Sequence, residues 1–399
     1  MEVKQIYSLV NAVSGEVLGK TDIVQNDLTG IIDLGAEVFN QNAVDNYVKS
    51  LVNHIGKVVF VSRPYSGKVP SVLMDAWEFG SVLEKISADV PTATENKTWD
   101  LTDGETYSQD VFHKPVVTAK FFNSLVTFEV PVSITERQVK QSFSSPEQLN
   151  GFISMIYSAV EKSMTIKTDA LIMRTINNMI AETLLSDAKS FGGVTKMEYA
   201  TGSTTRCVNL LKLYNDKFHP KDGETENPDA LKAEDAITSP DFIRFASYMM
   251  GMVADRMQSI STVFNVGGKT RFTPADMLHV VLLSDFAKAS QTYLQSDTIH
   301  KELVLLPKSE TVPFWQGSGQ TYDFDSTSTI NVKSSSGKAI NVSGVLGVMF
   351  DRDSLGVCNL DRRVTTNYNA KAEFFNNYYK FDAGYFNDTN ENFVVFFIA

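Results

Sequence analysis

Between Pro146 and about Leu184, apolar residues recur at helical spacing: first Leu149, Phe152, Ile153, Ile156, Tyr157 and Val160, then Leu171, Ile172, Ile176, Met179, Ile180 and Leu184. The run predicts one helix of roughly forty residues, close to 60 Å long, where helices usually have about ten to fourteen residues. Ser145 marks its N-cap, Pro146 takes the first helical position, where its missing N–H costs nothing, and Glu147 suits the positive end of the dipole. Thr165 to Asp169 is polar and interrupts the stripe, which allows either a change of buried face or a kink. No heptad register survives that interruption, so a coiled coil is disfavoured. The stripe alone suits a buried core element. The length points to a spine shared between layers of the molecule, or to a surface for neighbouring chains.

Shorter patterns surround this helix. Residues 1–40 are weakly periodic, with Gly15, Gly19, Gly30 and Gly35 breaking up short apolar pieces, as in an arm that lies on other structure. Asn42 to Ile55 predicts a helix stopped by Gly56, followed by a β-branched strand, Val58 to Val61, that ends at Arg63-Pro64. The chain is polar and turn-rich from Ser87 to Tyr107, and strands resume at Val116 to Phe122 and Leu125 to Val132, together resembling a long projecting hairpin. In the second of these, Val126, Phe128, Val130 and Val132 alternate with Thr127 and Glu129, and Pro131 marks an edge or terminal position. Beyond Gly192-Gly193, helices are expected at Thr204 to Phe218, Pro240 to Ser259 and Phe286 to Leu294. A buried strand is expected at Met277 to Leu283, an acidic loop at Asp222 to Asp235 and a hairpin at Val263 to Phe272. From Trp315 onward the pattern is β, with Ile330 to Val332, a turn at Gly337-Lys338, Ala339 to Val342 and Val345 to Phe350. The aromatic-rich end closes with Phe393 to Ile398, expected to be a fully packed strand.

A chain of 399 residues exceeds one ordinary domain, yet no linker stands out, so lobes that share elements are expected. No apolar run approaches about eighteen residues, which excludes a membrane-spanning helix. The first thirteen residues lack a secretory signal pattern, so a soluble protein made in the cytosol is expected. Cys207 and Cys358 make neither a disulfide framework nor a metal spacing and read as buried small apolar residues. The net charge of −11 opposes broad attraction to nucleic acid.

The candidate chemistry is thin. Gly15-Glu-Val-Leu-Gly19-Lys20-Thr21 has one residue too few between its glycines for a phosphate-binding loop. Asp323/Asp325 and Asp351/Asp353 fit local turn hydrogen bonding better than a cation site. His54, His113, His219, His279 and His300 share no ligand spacing, and Gly317-Ser318-Gly319 lacks the spacing of a nucleophile elbow. No catalytic, cofactor-binding or metal residue is singled out, which favours a structural role over an enzyme.

The order of elements (arm, projecting hairpin, spine helix, α/β lobe, return into a sheet) resembles that of tailed-phage major capsid proteins of the HK97-like fold. Three segments add to it: Asn46-Tyr-Val-Lys-Ser-Leu-Val-Asn-His-Ile-Gly-Lys-Val-Val59, the Val345 to Val357 stretch with Asp351-Arg-Asp353-Ser-Leu-Gly356, and Asn376-Asn-Tyr-Tyr-Lys-Phe381. Together they are similar to shell proteins of small short-tailed phages of Gram-positive bacteria. The resemblance implies an α+β fold with an N-terminal arm (1–55), an extended loop (56–135), a peripheral domain with the spine helix (136–195), an axial domain (196–345) and C-terminal strands returning to the peripheral domain (346–399). It implies pentamers and hexamers of an icosahedral shell around double-stranded DNA, held without sequence-specific contacts. A scaffolding protein, a portal and decoration or head-fibre proteins would be partners, with assembly in the host cytoplasm. A nanocompartment shell of the same fold and an enzyme with an unrecognised site are the alternatives.

Overall fold

The computed structural model describes residues 3–20, 24–25, 30–40, 43–62, 69–74, 83–88, 99–107, 112–190, 198–199, 206–221, 227–295, 309–315, 329–333 and 339–398, with single positions at 91, 93, 95 and 110. Its helices are α1 (Val3–Leu18), α2 (Ile31–Asn40), α3 (Val44–Ser62), α4 (Glu136–Ser142), α5 (Pro146–Asp187), α6 (Leu210–Phe218), α7 (Ala233–Ala236), α8 (Pro240–Met257) and α9 (Ser284–Gln295). The strands are β1 (Leu73–Met74), β2 (Leu83–Ala88), β3 (Val117–Phe122), β4 (Leu125–Thr135), β5 (Ala188–Ser190), β6 (Glu198–Tyr199), β7 (Cys207–Asn209), β8 (Leu278–Leu283), β9 (Ser309–Val312), β10 (Ile330–Lys333), β11 (Ala339–Val342), β12 (Val345–Asp351), β13 (Leu355–Asn369), β14 (Phe374–Asn387) and β15 (Phe393–Phe397).

Two compact units share the chain. One is built from Met1–Trp77, Leu125–Met173 and Val357–Gly384, the other from Glu78–Ser124, Arg174–Gly356 and Tyr385–Ala399. In the first, α1 packs on α3, burying Ile6, Leu9, Val10 and Val13 together with Tyr47, Val48, Leu51 and Val52. A four-stranded sheet in the order β1-β13-β14-β4 supplies its β layer. There β14 pairs antiparallel with β4, and the cross-strand partners Phe381 and Phe128 have ring centroids 5.1 Å apart. Pro131 lies on β4, at the sheet edge, where a missing N–H leaves no ladder bond unmade.

The second unit holds a five-stranded sheet in the order β7-β15-β12-β8-β9. Strands β12 and β15 are buried along their whole length, which explains their unbroken apolar sequences. The core that joins this sheet to α6, α8 and α9 includes Leu210, Phe242, Ile243, Met250, Phe286, Val280, Met349 and Phe396. Trp315 is fully buried and donates its Nε1–H to the Val345 carbonyl at 2.9 Å. The strand expected at the C-terminus is therefore an interior strand, flanked by β7 and β12.

The long helix α5 is unbroken over 42 residues, about 63 Å at the standard rise. Ser145 caps it, its Oγ accepting from the Gln148 N–H at 3.3 Å. Thr165 and Thr168 do not end the helix, because their hydroxyls donate to the carbonyls of Glu161 and Met164 at 3.0 and 2.9 Å. What changes at this point is the buried face. Before it, Leu149, Ile153, Ile156, Val160 and Met164 form one stripe; from Ala170 to Leu184 nearly every side of the helix is covered.

Several expectations need correction. Residues 3–18 and 31–40 are helices rather than short broken pieces. Ile6, Leu9, Val10 and Val13 keep helical spacing, and Gly15 and Gly35 lie inside helices. Gly35 is a packing contact, since a Cβ there would sit 2.6 Å from the Cβ of Phe143. Val58 to Val61 is no strand but the last turns of α3, which runs through Gly56; a four-residue apolar run with three valines is too short to tell a strand from a helix end. The helix expected from Thr204 begins at Leu210, after strand β7, with Asn209 accepting from the Lys212 N–H at 3.1 Å as its N-cap. The breaks at Gly192-Gly193 and Gly337-Lys338 and the front of the acidic loop, 222–226, lie outside the described residues.

Candidate functional site

Strands β2 and β3 form an antiparallel hairpin, paired from Leu83 with Phe122 to Ala88 with Val117, and the described residues 99–107 and 112–116 belong to the segment that links them. Its polarity is inverted. The outward face carries Glu84 and an apolar run of Ile86 (66% exposed), Ala88, Val117, Ala119 and Phe121 (64% exposed), while the sheltered face carries Lys85 and Lys120 next to Leu83 and Phe122. In the linking segment, Trp99 (99% exposed), Leu101, Tyr107 and Phe112 (84% exposed) extend the apolar surface. A strand pair that shelters lysines and displays an apolar stripe has the pattern of a surface meant to be covered.

The sheltered face docks on the turn between β14 and β15. Lys85 Nζ lies 3.0 Å from Asp388 Oδ2 and 2.9 Å from Glu391 Oε1, and donates to the Asp353 carbonyl at 3.1 Å. Its three protons are thus all used. Lys120 donates to Asp388 Oδ1 at 2.7 Å, and Arg271 Nε to Glu391 Oε1 at 3.2 Å. The Asp388 side chain is almost fully buried. Burial opposes its charge, but the Lys120 hydrogen bond and the nearby Lys85 charge outweigh that and hold its carboxyl below the usual range. Burial likewise opposes the Lys85 charge, and Glu391 and Asp388 outweigh it, holding the ammonium pKa above its ordinary value. Phe122 adds an apolar contact, its ring centroid 5.2 Å from that of Phe386.

The residues weighed from sequence do not converge on a reaction centre. Gly15 lies within α1, and Lys20 pairs with Glu37. Asp351 is buried and accepts from the Thr273 hydroxyl at 2.8 Å and the Asp353 N–H at 2.9 Å, which is turn chemistry. Burial pushes its carboxyl above the usual range, against the hydrogen bonds from Asp353 and Thr273. His54 sits beside Glu16 and Ser50, but Ser50 Oγ donates to Glu16 at 2.6 Å and His54 Nδ1 lies 3.0 Å from the Ser50 carbonyl. That arrangement joins two helices, and the Ser50 proton is directed at a carboxylate while the His54 ring faces the backbone carbonyl and not the hydroxyl. His113 is exposed, His219 caps the end of α6 and His279 lies in β8. Cys207 and Cys358 are buried, their Sγ atoms 3.3 Å from the Thr183 carbonyl and 3.7 Å from the Gly384 carbonyl. His300, Asp323/Asp325 and Gly317-Ser318-Gly319 lie outside the described residues. Among the described residues no three His, Cys, Asp or Glu side chains cluster as metal ligands would, and no helix is long and apolar enough to cross a membrane.

The comparisons with known proteins agree among themselves. The family described as Phi29-like phage major capsid protein matches residues 9–397. The major capsid protein of Bacillus phage B103 is 23% identical over 215 residues, 53% of this chain and 45% of that protein, so the match spans less than half of its relative's length. A chain in the capsid structure of Staphylococcus phage Andhra superposes with a TM-score of 0.50 at 10% identity, covering 84% of each chain. A chain in the structure of the head fiber and inner core protein gp22 of native bacteriophage P68 gives a TM-score of 0.50 at 8% identity, covering 84% of this chain and 85% of that one. At such identities the two structures speak for the fold alone.

Proposed function

The chain belongs to the Phi29-like phage major capsid protein family, with an α+β fold of the HK97-like shell class, and from that premise we propose that its copies join into the pentamers and hexamers of an icosahedral head around double-stranded DNA. The observation that carries this reading is the inverted hairpin, with Ile86, Val117 and Phe121 turned outward and lysines turned in. Covering each large apolar side chain contributes about 1.5–3 kcal/mol. Three such residues on every copy, repeated around a closed shell, turn modest contacts into a durable container. The hairpin belongs to the extended loop, residues 56–135, which reaches across a neighbouring subunit. Residues 1–55 form the arm, 136–195 the peripheral domain with α5, 196–345 the axial domain around the capsomer axes, and 346–399 the strands that return to the peripheral domain.

The protein acts mechanically and not as an enzyme. Its net charge of −11 keeps free subunits apart and argues against tight contacts to the packaged DNA, which volume and pressure confine. A scaffolding protein and a portal guide assembly in the host cytoplasm, and decoration or head-fibre proteins join the finished particle. The test is Ile86→Ser with Phe121→Ser. Both positions are exposed, so the subunit should keep its unfolding free energy within about 0.5 kcal/mol while closed particles disappear from sedimentation profiles. Wild-type particle yield from this variant would refute the assigned contact.

A further inference from the structure

Lys85 and Lys120 are direct cross-strand partners in the β2–β3 hairpin. Like charges placed opposite each other destabilise a strand pair, so the hairpin alone carries a built-in repulsion. Asp388 removes it, accepting Lys85 on one carboxylate oxygen and Lys120 on the other. The turn that presents Asp388 is itself held in place. Asp388 Oδ1 accepts from the Asn390 N–H at 3.0 Å, and the Asp388 N–H donates to the Ser354 carbonyl at 2.6 Å. Glu391 is fixed by Arg271, and the Asn392 Nδ2 donates to Thr273 Oγ1 at 3.1 Å. The hairpin is therefore matched to a fixed pair of carboxylates, with Asp388 bridging both lysines and Glu391 taking a further contact from Lys85, and charge-assisted hydrogen bonds set the geometry.

We propose that Lys85, Lys120 and Asp388 act as a positioning clamp: they fix the direction in which the hairpin presents its apolar face, and so decide whether subunits assemble, while contributing little to the folding of the sheet beneath. The assembly half of this inference rests on the shell reading above; the directional half concerns the isolated subunit. Neutralising both sides together avoids leaving a buried, unpaired carboxylate, which would itself unfold the turn. The test variant is thus Lys85→Met/Lys120→Met/Asp388→Asn, in which Glu391 keeps Arg271 as its partner. Asp388→Asn alone serves as a second variant, since it keeps the turn's shape and leaves the two ammonium groups facing each other.

Spin labels at Ala88→Cys and Gln258→Cys, both exposed and in the same unit, report the hairpin's direction, while Cys207 and Cys358 stay buried. With the clamp intact the electron–electron distance distribution should be narrow. In both variants it should broaden, hydrogen exchange in β8, β12 and β15 should stay slow, and closed particles should be lost. An unchanged distribution in both variants would overturn the clamp, as would a broadened one with normal particle yield. If the unmodified protein forms no particles, the shell reading fails, and the distance distribution still decides whether the clamp sets direction.

Discussion

His279 stands in β8 with its ring centroid 5.8 Å from that of Phe350, and its Nε2 is buried without a hydrogen-bond partner among the described residues. Burial pushes its pKa below the ordinary 6.5, with Arg352 reinforcing the shift and Glu310 and Asp351 opposing it. The folded protein thus resists a proton that the unfolded chain accepts. The stability this neutral ring contributes is complete above 6.5 and is lost as the pH falls through the lower folded-state value. His279→Gln should flatten the acid side of the stability curve as the pH falls below 6.5, read as urea midpoints; an unchanged slope would assign the loss to other groups. Asp388 works further down: the Lys120 hydrogen bond and the Lys85 charge hold its carboxyl below the usual range, so the attachment of the hairpin is complete above 3.8 and weakens as the pH falls below it. Single residues were legible in sequence wherever their role is local: Ser145 and Pro146 at the start of α5, Pro131 on an edge strand. Lys85 and Lys120 were not, because their partners lie far along the chain and no local pattern marks a cross-strand pair.

Among the elements, α5 shows how one helix meets two environments. Leu171 is fully buried where the helix is covered on nearly all sides, whereas Ile166 is half-exposed. Leu171→Ala should cost about 2–5 kcal/mol as a cavity forms, and Ile166→Ala less than about 0.5 kcal/mol in the isolated subunit. Chemical denaturation of both variants checks the contrast, and equal losses would mean that the helix is covered evenly. Elements with strong, continuous patterns were readable in advance: α5, α8, β8, β12 and the closing strand β15. Those that depend on partners were not. Strand β2 has a mixed sequence that alternates only once its pairing with β3 is known, and the end of α3 is β-branched yet helical because it continues a packed helix. The glycines of the first forty residues divide the same way: Gly19 and Gly30 take positive φ at the ends of helices, while Gly15 and Gly35 sit within them.

At the level of the whole molecule, the fold class and the family followed from element order, while the surface proposed for assembly emerged only from exposure and pairing. An apolar stripe at Ile86, Val117 and Phe121 looks like core sequence until the structure places it outward and the lysines inward. No catalytic spacing could have signalled it, since shell contacts need shape and area rather than a fixed constellation. In the proposed shell this face is covered by a neighbouring copy. Electron cryomicroscopy of particles assembled from the protein, alone or with a scaffolding partner, tests it most directly. Closed shells or hexamer sheets are expected, with Ile86 and Phe121 buried against an adjacent subunit. A protein that remains monomeric, or shells in which that face stays open to solvent, would contradict it.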